Sequence, residues 1–195
     1  MSSVAIIDSG GANVASIGFA FERLGVAGRL TDDIAVLRSA SHVILPGVGA
    51  AKGAMTQLRE RKLLDAIAAL TQPTLGICLG MQLLCDASEE GDTDCLGIVS
   101  GTVRRMSNVS VPVPHMGWNR VRASTSPLFA GIEEGAHFYF VHSFALATSP
   151  HTIATCDYAG PFAAAVAKDN FYGVQFHPER SSLAGEALLR NFLQL

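Results

Sequence analysis

A short apolar run ends in a cysteine bracketed by glycines at Pro73-Thr74-Leu75-Gly76-Ile77-Cys78-Leu79-Gly80. Residues 73–77 have the length and composition of a strand that is buried on both faces. Two earlier runs, Val4–Asp8 and His42–Leu45, are of the same kind. Segments with helical spacing separate and follow these runs, at about residues 14–24, 33–39, 51–70 and 80–87. The alternation predicts an α/β fold with a parallel sheet and helices on both faces.

Beyond Cys95 the pattern changes to short alternating segments separated by Gly, Pro, Asn and Ser. They predict strands and hairpins, some of them antiparallel, at residues 97–106, 118–123, 137–142, 152–158, 162–167 and 171–176. A last helix is expected at about 183–193. The sequence shows no repeat, linker or low-complexity segment, so we expect one domain over residues 1–195.

Composition narrows the function classes. The 195 residues are 49% hydrophobic and 16% charged, which excludes a disordered protein. The net charge of -3 gives no indication of a nucleic-acid or anionic-membrane partner. The longest early charge-free stretch, Ala66–Cys85, contains Pro73 and two glycines and is not one membrane helix. The N-terminus has no basic segment and the four cysteines form no Cys-x-x-Cys pair, so we expect free thiols in a reducing cytosol.

Residues Gly76–Gly80 have the form G-x-C-x-G at a strand-to-helix junction. In the analogous serine form, a strained elbow pushes the nucleophile out of the sheet, and glycines are needed where larger side chains would collide. The backbone N–H of Leu79 would then point toward an oxyanion. The alternative is a buried structural cysteine beside two turn glycines. Cys85 lies in an apolar helical pattern without glycines, and we expect it in the core.

A nucleophilic cysteine needs a base, and His177-Pro178-Glu179 follows the strand pattern at 171–176. In an extended segment, residues two apart share a face, so Glu179 can hold the His177 ring in one tautomer. A lone histidine is more often structural, but the other five histidines lack this arrangement.

Pro46-Gly47-Val48-Gly49 closes another buried strand, and its glycines let backbone N–H groups approach a ligand closely. Ligands of parallel sheets bind outside the carboxyl ends of the strands. Three motifs at three strand ends therefore predict one Cys–His–Glu acyl-transfer site. Metal and phosphate sites have weak support, because no Cys or His pair has zinc spacing and Gly10–Asn13 lacks the G-x-G-x-x-G register.

The sequences of residues 76–82 and 173–179, Gly-Ile-Cys-Leu-Gly-Met-Gln and Gly-Val-Gln-Phe-His-Pro-Glu, resemble class I, triad-type glutamine amidotransferases. Residues 46–49, Pro114-His115-Met116-Gly117-Trp118-Asn119 and 139–143 are similar to the glutaminase subunits of imidazole glycerol phosphate synthases. The similarity runs in order along nearly the whole chain. It implies a single α/β, flavodoxin-like amidotransferase domain with a mixed, mostly parallel central sheet flanked by helices.

The resemblance implies that Cys78 attacks the glutamine side-chain amide, His177 transfers protons and Glu179 orients His177. It places the oxyanion and substrate contacts at Gly47, Val48, Gly49, Leu79, Gln82, Ser143 and Phe144, with Phe144 where tyrosine is common. It places the partner surface at Asn13, His115, Met116, Trp118, Asn119 and Arg180.

The implied partner is a (β/α)₈-barrel cyclase subunit, forming a heterodimer in the cytoplasm. Ammonia would pass to it and react with a phosphoribulosyl-formimino intermediate (PRFAR), giving imidazole glycerol phosphate and an aminoimidazole carboxamide ribotide (AICAR) in histidine biosynthesis. The resemblance implies no cofactor and no metal.

Three alternatives stay open at this point. Another amidotransferase of the same fold would serve a different synthase, against which the His-Met-Gly-Trp-Asn block argues. A free-standing cysteine hydrolase would turn over without a partner. An interaction subunit with an inactive triad would carry an inert Cys78.

Trp118 could pack in the core, although a Trp in a Pro-flanked loop favours a partner surface.

Overall fold

The fold is described from a computed structural model of the chain, over residues 3–9, 14–47, 49–107, 109 and 111–195. The helices of this part are α1 Val14–Arg23, α2 Ile34–Ser39, α3 Ala51–Glu60, α4 Leu64–Ala68, α5 Leu79–Leu83 and α6 Ser182–Phe192. The first seven strands are β1 Val4–Ile7, β2 Gly28–Thr31, β3 His42–Leu45, β4 Thr74–Ile77, β5 Cys85–Ser88, β6 Thr93–Asp94 and β7 Val99–Arg105. The others are β8 His115–Arg120, β9 Arg122–Ala123, β10 His137–His142, β11 Phe144–Leu146, β12 Thr152–Asp157, β13 Pro161–Lys168 and β14 Phe171–Val174.

The central sheet has eight strands in the order β2-β1-β3-β4-β14-β13-β12-β9. The first five strands are parallel. The last three add to β14 in antiparallel fashion. The predicted mixed, mostly parallel sheet is therefore confirmed.

The parallel strands are apolar throughout because both faces of the sheet are covered. In β1, Val4 and Ile6 pack into a core that includes α1 and α6. The alternate residues Ala5 and Ile7 pack into a second core with α2, α3 and α4. This two-sided burial fixes the register of β1 and, through the same alternation, of its neighbours.

Two smaller sheets accompany the central one. Strands β8 and β10 form an antiparallel pair in which His115 lies opposite His142 and Trp118 opposite Tyr139. A second small sheet has the order β11-β7-β5-β6. These strands carry several of the residues that enclose the site described below.

The structure corrects several predicted boundaries. The helix expected at 51–70 is two helices, separated at Lys62, which has a φ of 59°. The helix expected at 80–87 is wrong beyond Leu83, because Cys85 begins a strand that pairs in parallel with Val99 of β7. Cys85 is nevertheless fully buried, as expected. Strands β2, β6 and β11 were not predicted, and β8 begins three residues earlier than predicted.

All four cysteines are free thiols. Within the described residues, no helix is long and apolar enough to cross a membrane.

Candidate active site

The three sequence motifs meet at one edge of the central sheet. Strands β3, β4 and β14 are adjacent, and all three run in the same direction. Their carboxyl ends lead into the 46–49 segment, into Cys78 and into the 175–179 segment, respectively. The predicted convergence of the motifs is therefore observed.

Cys78 occupies a strained elbow between β4 and α5. Its backbone has φ 54° and ψ -110°. Residues other than glycine rarely adopt this conformation, so the surrounding structure must hold it in place. A Cβ added at Gly76 would lie 2.7 Å from the backbone carbon of Gly80, and one added at Gly80 would overlap the Leu45 carbonyl oxygen. The two flanking glycines are thus required by close backbone approach. This is the physical basis of the G-x-C-x-G pattern.

The Cys78 thiol is buried but borders a cavity. Its Sγ lies 3.8 Å from the Val141 carbonyl oxygen of β10. The Gln175 side chain donates to Sγ from its Nε2, also at 3.8 Å. The thiol is therefore held between the ends of β4, β14 and β10, with one face open to the cavity.

His177 and Glu179 form the predicted pair. The ring Nδ1 lies 2.8 Å from Glu179 Oε1, and the Glu179 side chain is only 2% exposed. The backbone N–H of His177 donates to the Tyr139 carbonyl at 2.8 Å, which fixes the position of the residue. Because Glu179 accepts a hydrogen bond from Nδ1, Nε2 is the ring nitrogen that can exchange a proton with a reacting group, as acid–base catalysis requires.

The ionisation of His177 depends on both neighbours. Burial lowers its pKa, but interactions with the Cys78 side chain and the Glu179 carboxylate more than offset burial and raise the pKa to about 10. Within the described residues Nε2 has no hydrogen bond of ordinary length, so its interaction with Cys78 is a long one. Loose nucleophile–base geometry is common before a substrate is bound.

A cavity of about 290 Å³ lies against Cys78. Five of the predicted substrate and oxyanion residues line it: Gly49, Leu79, Gln82, Ser143 and Phe144. Gly47 has a different position. It is buried, and a Cβ there would overlap the backbone nitrogen of Gly80. Val48 lies outside the described residues.

Sequence reasoning missed several residues at this site, among them Glu90, Arg105 and Gln175. Glu90 and Arg105 line the same cavity and bring opposite charges to it. The carboxylate of Glu90 also accepts a hydrogen bond from the Ala51 N–H at 2.7 Å. Neither residue lies in a recognisable motif, because each reaches the cavity through the small sheet. Gln175 lies two residues before His177, and its position within that motif was the available signal.

The predicted partner residues fall into two groups, because β8 alternates its side chains between two faces. Met116 and Trp118 are 63% and 53% exposed, which excludes core packing for Trp118. His115 is only 2% exposed, so its predicted place on the partner surface is wrong. Asn119 is half-buried on the same inner face as His115.

Arg180 is exposed, and its guanidinium lies 5.4 Å from the centre of the Tyr139 ring. Trp118 packs edge-on against the same ring, with 6.2 Å between ring centres. The three side chains form one surface cluster. Tyr139 links this cluster to the active site, because its carbonyl oxygen accepts a hydrogen bond from the backbone N–H of His177. Asn13 lies outside the described residues.

The fold and the site together define a class: α/β proteins that place a cysteine elbow and a His–Glu pair at the carboxyl edge of a parallel sheet, beside a cavity with charged groups.

Comparison with known proteins narrows the class. The family model for class-I glutamine amidotransferases matches residues 5–195. The chain is 54% identical over 195 residues to imidazole glycerol phosphate synthase subunit HisH of Escherichia coli K12, covering 99% of this chain and 100% of that protein. It is 51% identical to the HisH subunit of Pasteurella multocida, covering 100% of this chain and 98% of that protein. The chain therefore belongs to the class-I glutamine amidotransferase family and, within it, to the HisH subunits.

Solved structures agree on the fold. A crystal structure of a glutamine amidotransferase superposes with a TM-score of 0.77 at 18% identity, covering 99% of this chain and 98% of that one. A glutamine amidotransferase from Thermotoga maritima gives a TM-score of 0.68 at 16% identity, covering 99% and 96%. At these identities the agreement concerns the fold alone.

Proposed function

We propose that this chain is the glutaminase subunit of an imidazole glycerol phosphate synthase, and that Cys78, His177 and Glu179 carry out the hydrolysis of glutamine. The observation that carries the proposal is the strained cysteine elbow with a buried His–Glu pair beside it, in a chain that matches HisH subunits over its full length.

In the first half-reaction, Cys78 Sγ attacks the side-chain amide carbon of glutamine as a thiolate. The carbonyl oxygen becomes an oxyanion, which the backbone N–H of Leu79 and the 47–49 segment stabilise. His177 gives its proton to the nitrogen as the C–N bond breaks. Ammonia leaves and a glutamyl thioester remains on Cys78.

In the second half-reaction, neutral His177 takes a proton from water as the water oxygen attacks the thioester carbon. The C–S bond breaks, glutamate leaves, and Cys78 returns to a thiolate beside a protonated His177. Glu179 keeps Nδ1 protonated throughout, so that Nε2 exchanges the proton in both steps.

The charges of the cavity suit a free amino acid. Glutamine carries an ammonium and a carboxylate at one end, and Glu90 and Arg105 supply the opposite charges. The buried Gln82 uses its Nε2 twice, donating to the Phe144 carbonyl and to Gln175 Oε1, both at 2.9 Å. Its oxygen is thereby left to accept from a substrate N–H. Phe144 contributes through its backbone, so loss of a tyrosine hydroxyl there leaves this contact intact.

We further propose a cyclase subunit with a β/α barrel as the partner, in a cytoplasmic heterodimer. The surface cluster of Trp118, Tyr139 and Arg180, together with exposed Met116, supports the proposal because exposed aromatic and arginine side chains are typical anchors of interfaces. The partner would combine ammonia with PRFAR to give imidazole glycerol phosphate and AICAR. We propose that residues 1–195 act as one amidotransferase domain, without a cofactor.

Covalent labelling tests the proposed nucleophile. The glutamine analogue 6-diazo-5-oxo-L-norleucine should add one adduct per chain, at Cys78, and excess glutamine should protect against it. Cys85 and Cys156 are internal controls, because burial raises the pKa of each to about 12 and keeps them as thiols. An unlabelled Cys78, or labelling that glutamine does not slow, would support an inactive triad or another substrate.

A further inference from the structure

Two buried histidines outside the triad connect strand β8 to the substrate cavity. His115 and His142 lie opposite each other on β8 and β10, and His115 Nδ1 is 3.0 Å from His142 Nε2. His142 Nδ1 is in turn 2.8 Å from the Phe144 carbonyl oxygen. At the other end, Asn119 Nδ2 is 3.2 Å from His115 Nε2.

The groups at the two ends of this series of hydrogen bonds fix which atom donates in each of them. A carbonyl only accepts, so His142 Nδ1 carries a proton and its Nε2 is the acceptor. His115 must then donate from Nδ1, which leaves its Nε2 to accept from Asn119. The Asn119 amide cannot be reversed, since its oxygen accepts from the Arg120 N–H at 2.8 Å and its nitrogen also donates to the Asp157 carbonyl.

The series of hydrogen bonds continues from Phe144 into the active site. The Phe144 carbonyl that accepts from His142 also accepts from Gln82 Nε2 at 2.9 Å. The second hydrogen of that nitrogen goes to Gln175 Oε1, and Gln175 Nε2 donates to Cys78 Sγ. Every side chain from His115 to Cys78 in this path is less than a tenth exposed.

Aromatic packing holds the two rings in place. His115 is stacked between Phe140 and Tyr158, with ring centres 4.7 and 4.0 Å away. The ring of His142 contacts Phe140 and Phe162. Burial lowers the pKa of His115 to about 4 and of His142 to about 3, so both rings are neutral at physiological pH. Neutral rings that are packed against aromatic side chains suit a structural role rather than acid–base work.

We infer that His142, supported by His115, is a positioning residue for glutamine hydrolysis. Its Nδ1–H holds the Phe144 carbonyl where that oxygen orients the Gln82 carboxamide, so that the Gln82 oxygen faces the substrate. The other end of this series of hydrogen bonds is Asn119, which lies between the exposed Trp118 and Arg120 in the strand of the proposed partner surface. The inference rests on the proposed function for the identity of the substrate.

The ring protonation states provide a test that does not depend on activity. Long-range ¹H–¹⁵N correlation spectra of the ¹⁵N-labelled full chain report which ring nitrogen bears the proton. We expect His115 and His142 to be neutral and protonated at Nδ1 from pH 5.5 to 8. An Nε2-protonated tautomer, or a charged ring, at either position would overturn the inference.

Kinetics test the consequence with a pair of variants of equal shape. In His142→Asn the amide nitrogen can replace Nδ1 and still donate to Phe144, whereas His142→Leu has the same shape and no donor. In the complex with the cyclase, we expect KM for glutamine to be about 3- to 10-fold higher in the Leu variant than in the Asn variant, the size of one net hydrogen bond. We expect kcat to differ less than about twofold. His151 takes no part in this series of hydrogen bonds, so the Asn and Leu substitutions at His151 should give equal KM values.

The outcomes separate the inference from the proposed function. Equal KM values for the two His142 variants, with an active wild-type complex, would overturn the inference alone. Absence of glutaminase activity in the wild-type complex would overturn the proposed function. The tautomers of His115 and His142 would still show whether the hydrogen bonds between Asn119 and Phe144 form. Leucine at position 142 removes the hydrogen bond that His142 donates to the Phe144 carbonyl and so lowers stability as well. Thermal unfolding of both variants would show that each is folded at the assay temperature, so that a higher KM of the Leu variant reports glutamine binding.

Discussion

Substitution of Gly76 by alanine should damage both the fold and the elbow. The new Cβ would lie 2.7 Å from the backbone carbon and oxygen of Gly80 and 2.8 Å from the Met81 nitrogen. Ordinary van der Waals contacts begin near 3.4 Å, so β4 and α5 must separate by about 0.7 Å (3.4 less 2.7). None of these atoms belongs to a flexible side chain. The strain must therefore be absorbed by the backbone that holds Cys78.

The expected destabilisation is about 2–3 kcal/mol, the upper part of the range for overpacking, because only backbone atoms can yield. For a chain of this length that lowers Tm by about 4–12 °C. A shift of about 0.7 Å at the elbow should also slow glutamine hydrolysis at least about tenfold, since a misplacement of about 1 Å costs on the order of 100-fold.

Gly53→Ala is the matched control. Gly53 lies inside α3, and a Cβ there would meet nothing within 4 Å. Better helix propensity should stabilise this variant by up to about 1 kcal/mol and raise Tm by up to about 4 °C. Thermal unfolding by circular dichroism and glutaminase assays in the cyclase complex would compare the two. A Gly76→Ala variant as stable and as active as wild type would refute the close approach at the elbow.

Three further predictions concern the site and its surface. The raised pKa of His177 stabilises the fold fully below about pH 6.5, and this stabilisation is lost as the pH rises to about 10. Because the Glu179 carboxylate raises that pKa, Glu179→Gln should have less of this stabilisation and should finish losing it at a lower pH, so its Tm should fall less than that of wild type between pH 6 and 10. Met116→Ala and Trp118→Ala should leave Tm within about 2 °C of wild type, because both side chains are exposed. Titration calorimetry should show cyclase binding weakened about tenfold or more by Trp118→Ala, the loss expected for an interface anchor. Glu90→Gln should raise KM for glutamine about tenfold or more in steady-state assays, since a charged hydrogen-bond partner is lost.

The sequence predicted the parallel half of the fold well, because burial on both faces leaves a continuous apolar run that needs no partner to be recognised. It failed where pairing partners decide the structure. Cys85–Ser88 has a helical pattern, yet it forms a strand because β7 offers a parallel partner. The edge strand β2 is short and half-exposed, so its residues 28–31 carry little of the strand pattern.

The site was predictable to the extent that its chemistry lies in contiguous motifs. The elbow at Cys78 and the pair His177 and Glu179 each depend on residues within four positions of one another. Glu90 and Arg105 depend on strand pairing far along the chain and left no local signal. His115 was misplaced because the residues around it belong to a surface strand, and only the alternation of β8 turns its ring inward.

Glutamate release from glutamine tests whether this chain is a glutaminase that works through Cys78 and with a cyclase partner. It would be measured for this chain alone, with the cyclase subunit, and with the cyclase and an analogue of its substrate, each with Cys78→Ala as control. For a glutaminase subunit that supplies ammonia to a partner, we expect low activity alone, strong activation only in the last mixture, and no activity for Cys78→Ala in any mixture. Full activity of the chain alone, or activity that survives Cys78→Ala, would contradict this expectation.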